Sequence, residues 1–106
     1  MIKKIKLFKG KVFTDHRGML KYNNDFNAEK IKRIYTIQNK NNDIYRGWIA
    51  HKIESRWMAC IFGSFEIKIL NSSDFDNPNL KSDHKDYILE SNGLNIIYIP
   101  PGFYYS

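Results

Sequence analysis

The chain has 106 residues, which fits one domain and leaves little room for a second. Its 42% hydrophobic and 26% charged content is that of a soluble globular protein, and no apolar run reaches membrane-spanning length. The net charge of +6 favours phosphate-bearing ligands, but the lysines do not interleave with aromatics as a nucleic-acid surface requires. The single Cys60 rules out an internal disulfide and a cysteine zinc site, and its apolar neighbours predict a buried thiol. No continuous apolar stretch follows the basic N-terminus, so a signal peptide is not expected and a cytoplasmic location is.

Aromatics at 15% favour strands, whose half-buried faces suit rings and β-branched side chains. Lys3–Phe8 is a predicted strand, ended by Gly10. Asp15-His16-Arg17-Gly18 is a turn, followed by a short strand at Met19–Tyr22 and a break at Asn23-Asn24-Asp25. Ile31–Gln38 alternates, with Ile31, Arg33, Tyr35 and Ile37 on one face. Ile44–Lys52 is a further extended segment.

Arg56–Phe62 and Phe65–Leu70 are predicted to form a hairpin around Gly63-Ser64. In it Trp57, Ala59 and Ile61 share a core face, opposite Phe65, Ile67 and Ile69. Asn71–Asp83 reads as a polar loop. Tyr87–Leu89 and Leu94–Ile99 are predicted to form a second hairpin around Ser91-Asn92-Gly93, and Pro100-Pro101-Gly102 forces a turn. No segment holds a helical period. The expected architecture is a single all-β sandwich or barrel over residues 1–106.

Strict alternation through Ile44–Lys52 puts Tyr45, Gly47, Ile49 and His51 on one face and Arg46, Trp48, Ala50 and Lys52 on the other. Trp48 is therefore expected in an outer layer or a dimer contact. A lone strand histidine is as a rule structural, but an imidazole on a concave face can titrate near neutral pH and move protons. Arginine at the rim can hold phosphate through its planar fork.

Five segments occur in one order along the chain: Asp15-His16-Arg17-Gly18-x-Leu20, Ile31-Lys32-Arg33-Ile34-Tyr35, Arg46-Gly47-Trp48-Ile49-Ala50-His51-Lys52, Gly63-Ser64-Phe65-Glu66-Ile67 and Ile99-Pro100-Pro101-Gly102-Phe103. This series resembles the sugar 3,4-ketoisomerase family, WxcM/FdtA-like cupins that act on dTDP-linked 4-keto-6-deoxy sugars and are relatives of the dTDP-4-dehydrorhamnose 3,5-epimerases. The resemblance implies a cupin-type double-stranded β-helix, or jelly roll. It implies a nucleotide-sugar isomerase of cell-surface polysaccharide synthesis, working as a homodimer without a cofactor. Carried over by position, His51 is the general acid/base and Tyr35 a helper in proton transfer or sugar binding. Arg46 is expected near the diphosphate or the sugar, with Lys52 and Arg33 as further partners for the anionic part.

The family strand reads Arg-Gly-x-His-x-His-Lys, and Ile49 stands at its first histidine. Two readings therefore stay open: an isomerase running on His51, or a non-catalytic cupin that keeps a sugar-nucleotide pocket or only the scaffold. With one histidine at the motif, His16 in a turn and His84 in a polar loop, no metal centre is expected. The resemblance also implies about three further strands beyond Ser106, so an incomplete sandwich is expected at that end.

Overall fold

The computed structural model describes residues 4–71 and 84–106. Nine strands are present among them and no helix: β1 (Lys6–Phe8), β2 (Lys11–Asp15), β3 (Gly18–Tyr22), β4 (Ile49–Ala50), β5 (Arg56–Ala59), β6 (Ser64–Asn71), β7 (Lys85–Glu90), β8 (Ile96–Ile99) and β9 (Phe103–Tyr105). All pairings are antiparallel. They build a three-stranded sheet in the order β1-β8-β5, a four-stranded sheet in the order β4-β9-β6-β7, and the separate hairpin β2-β3.

The two larger sheets face each other across one core. Ile97 and Ile99 come from the three-stranded sheet. Ile67, Ile69, Leu89 and Tyr105 come from the four-stranded sheet, and Cys60 closes the space between β5 and β6. The fold is thus an all-β sandwich of cupin type, with the β2-β3 hairpin outside it.

Both hairpins expected around Gly63-Ser64 and Ser91-Asn92-Gly93 are replaced by crossings between sheets. β5 pairs with β8 and β6 with β7 and β9, so the chain changes sheets at Gly63 and again at Ser91–Gly93. Local turn chemistry is the same whether a turn joins neighbours in one sheet or carries the chain across the sandwich. The positive φ of 76° at Gly63 serves the crossing equally well. A further crossing is the expected Pro100–Gly102 turn, where Gly102 has φ 92°.

The face of β5 is also reversed. Met58 packs against the core and Arg56 turns inward, while Trp57 lies on the outer face, stacked on Tyr98 at 5.0 Å between ring centroids. Ile61 lies past the end of β5 and is exposed. Residues 31–39 form no strand, and Ile34 and Ile37 are exposed. Of the extended segment Ile44–Lys52, only Ile49–Ala50 enters a ladder. The stretch 72–83, read above as loop, lies outside the described residues.

The hairpin is anchored at its base. Asn23 Nδ2 donates to the carbonyls of Phe8 and Leu94, and Asn95 Oδ1 accepts from Gly10 N–H at 2.8 Å. Gly10 lies so close to the Leu94 backbone that a Cβ would overlap its carbonyl. Gly10→Ala is therefore expected to destabilise the fold by about 3 kcal/mol, measurable as a lower urea midpoint.

Candidate active site

Ile49 pairs with Tyr105, and Tyr105 pairs with Ile69. Directly opposed residues share a face, so these three form one row on the inner side of the four-stranded sheet. His51 is two residues beyond Ile49 and projects to the same side, as the alternation predicts. Its carbonyl accepts the Gly102 N–H at 2.8 Å, which ties the end of this segment to the Pro100–Gly102 turn.

From the other sheet, Arg56 pairs with Ile99 and shares its inward face. The two inner faces therefore bring one cluster together. Arg56 Nε donates to His51 Nε2 at 3.3 Å, and Tyr105 Oη lies 3.3 Å from the same nitrogen. Glu54 Oε2 holds Arg56 Nη2 at 2.9 Å, and Arg33 reaches Glu54 Oε1 at 3.8 Å.

A guanidinium has no acceptor, so the His51 Nε2 that Arg56 addresses carries the lone pair. Tyr105 is then a donor to that nitrogen, and the ring proton sits on Nδ1. Both bonds are at the long end of the hydrogen-bond range.

Burial lowers the His51 pKa below the usual 6.5, and the Arg56 charge pushes it down further against the opposing pull of Glu54. Burial likewise raises the Tyr105 hydroxyl above its ordinary 10, opposed by Arg56 and assisted by Tyr35 and Glu54. The site thus holds a neutral base and a protonated phenol across the neutral pH range.

The unfolded chain binds a proton at its unshifted histidine before folded His51 does. Stability from this group is therefore complete above pH 6.5 and is lost as pH falls through 6.5 towards the lowered midpoint. Denaturation midpoints across that window should decline for the wild type, and that part of the decline should vanish in His51→Asn.

The five residues singled out in the sequence are not equally placed. His51 is the centre. Arg33 is part of the cluster through Glu54. Tyr35 is 64% exposed and is not among the hydrogen-bond partners of His51. Arg46 is exposed, and its Nε donates to Asn39 Oδ1 at 2.7 Å. Lys52 is exposed. Arg56, Glu54 and Tyr105 were not anticipated. The available signal was the Glu54-x-Arg56 spacing, which puts both charges on one strand face just after His51.

Trp48 is half-buried and meets His84 edge-on at 6.1 Å, and His84 pairs with Asp86 at 3.2 Å. Among the described residues, no group of three or more His, Cys, Asp or Glu side chains is placed to hold a metal. Two surface depressions of about 570 and 200 Å³ are lined by other residues than the His51 cluster, the larger one by Val12, Met19 and Lys21 of the hairpin.

A cupin-type sandwich with a histidine, a phenol and a guanidinium converging between its sheets has the groups that proton transfer next to a carbonyl requires. The chain matches the family described as "FdtA: WxcM-like, C-terminal" over residues 3–105 and belongs to it. No curated protein and no solved structure gives a significant match. No helix among the described residues is long and apolar enough to cross a membrane.

Proposed function

We propose that this protein is a cytoplasmic isomerase of a dTDP-linked 4-keto-6-deoxy sugar, a 3,4-ketoisomerase serving cell-surface polysaccharide synthesis, built as one cupin domain. The observation that carries the reading is the unprotonated His51 Nε2 held between the sheets beside a hydroxyl donor and a cation.

The chemistry follows from those types. A base removes the C3 proton, and the C3–H electron pair forms a C3–C4 double bond as O4 takes up the carbonyl electrons and a proton. The enediol then loses its O3 proton, the carbonyl forms at C3, and C4 receives a proton. No net oxidation occurs, so the protein needs only groups that move protons and stabilise the oxyanion. His51 is the group that carries the carbon proton. Tyr35 helps in proton transfer or sugar binding, Arg33 joins through Glu54, and Arg46 and Lys52 serve the diphosphate.

The test is incubation of purified protein with dTDP-4-keto-6-deoxyglucose and detection of the 3-keto product. Product formation above a His51→Asn control supports the reading, and equal formation overturns it.

Ile49 supports a second reading, a non-catalytic cupin that keeps the ligand pocket. It occupies the row beside His51 with a side chain that transfers no proton, and it is 40% exposed. Heat on titration with dTDP in the absence of turnover would favour this reading.

The same reading includes a homodimer. Among the described residues the hairpin β2-β3 pairs with no other strand, and its Phe13, Met19 and Leu20 are each more than half exposed. A two-stranded ribbon is marginal without cover. Sedimentation should give about twice the 12.6 kDa chain mass, and a concentration-independent monomer would contradict it.

A further inference from the structure

We propose that Tyr105 and Arg56 complete the site: Tyr105 is the proton donor that works opposite His51, and Arg56, braced by Glu54, is the positioning residue that donates to Nε2 and so holds the His51 ring in its Nδ1–H form. The catalytic half of this rests on the isomerase reading above. The arrangement of the three side chains rests on geometry alone.

Ile49 and Tyr105 are directly opposed in the β4-β9 ladder, so the phenol occupies the row in which Ile49 offers no proton. Its oxygen is 3.3 Å from His51 Nε2. Tyr105 is 9% exposed, so its hydroxyl is held by its packing rather than free to swing away. In the reaction, His51 takes the carbon proton and the phenol gives its proton to O4. The phenolate then accepts the O3 proton, while His51 returns its proton to C4. Both groups end the cycle as they began. A guanidinium beside the developing oxyanion also offsets its charge.

Arg56 is a charged side chain on an inward strand face, and three contacts fix its placement. Its own strand pairs with β8, Glu54 grips one nitrogen of its fork, and its Nε addresses His51. Among the described residues, the charged and titratable groups that face His51 are Arg56 from β5, Glu54 before it and Tyr105 from β9, with Arg33 joined to them through Glu54.

The experiment is a pH titration of ring-labelled ¹⁵N-histidine by NMR in the wild type, Arg56→Met, Glu54→Gln and Tyr105→Phe, with amide spectra as a check on folding. Wild-type His51 should be the neutral Nδ1–H tautomer, titrating below 6.5. Arg56→Met should populate the Nε2–H tautomer and raise the midpoint, whereas Glu54→Gln should lower it. A merely structural role would move both variants the same way. Tyr105→Phe should shift the Nε2 resonance with the tautomer unchanged, and in the turnover assay reduce kcat about 100-fold with little change in KM.

A wild-type proton on Nε2, an Arg56→Met titration identical to wild type, or an Nε2 resonance indifferent to Tyr105→Phe would each overturn the proposal. Failure of the wild type to convert the sugar would instead count against the isomerase reading, since the ring-nitrogen signatures do not depend on turnover.

Discussion

His51→Asn is expected to reduce turnover of the 4-keto sugar by about 10²–10⁴-fold while leaving the sandwich folded. Asparagine keeps a polar head of similar reach but cannot accept a proton near neutral pH. The main-chain bond from Gly102 N–H to the residue 51 carbonyl does not depend on the side chain, so the turn at Pro100–Gly102 stays in place. What is lost is the acceptor at the meeting point of Arg56 and Tyr105. Steady-state kinetics should show the loss mainly in kcat. A large rise in KM with kcat unchanged would make His51 a binding group rather than the base.

Ile97→Ala is expected to be the most damaging single core truncation. Ile97 has no solvent exposure, lies in the central strand of the three-stranded sheet, and faces the four-stranded sheet across the core. Removing a buried isoleucine to alanine costs about 2–5 kcal/mol, a large share of the roughly 5–15 kcal/mol that holds a domain of ordinary stability. Urea denaturation followed by fluorescence should show a sharply lower midpoint with an unchanged slope. A loss under about 0.5 kcal/mol would place Ile97 outside a packed core.

The fold class was legible because it rests on local signals. Turn residues at short spacing and aromatic, β-branched runs point to strands, and β3 and β6 fall where alternation puts them. Pairing was not legible at Gly63-Ser64 or at Ser91–Gly93. There a short connection joins strands of different sheets, and the true partner of β5 is β8, some forty positions away. Only the packing of the two faces selects that topology.

Arg56 was missed for a related reason. The run Arg56-Trp57-Met58-Ala59-Cys60 offers apolar residues to both sides, and the default is to turn the charge outward. The default fails because His51 on the inner face and the half-exposed Glu54 at its rim give the guanidinium its partners. Trp57 has its own partner in Tyr98 on the outer face. Tyr105 escaped notice because Phe103, Tyr104 and Tyr105 are alike until the register with Ile49 is known. His51 was found from both alternation and resemblance, and it is the residue on which the cluster converges.

The most direct measurement is a proton NMR time course of dTDP-4-keto-6-deoxyglucose in D2O with the wild type and with His51→Asn. The account predicts that the C3 proton signal decays as the 3-keto sugar appears with the wild type, and that it persists with His51→Asn. A C3 signal that persists with the wild type, or decays equally with both proteins, would contradict it.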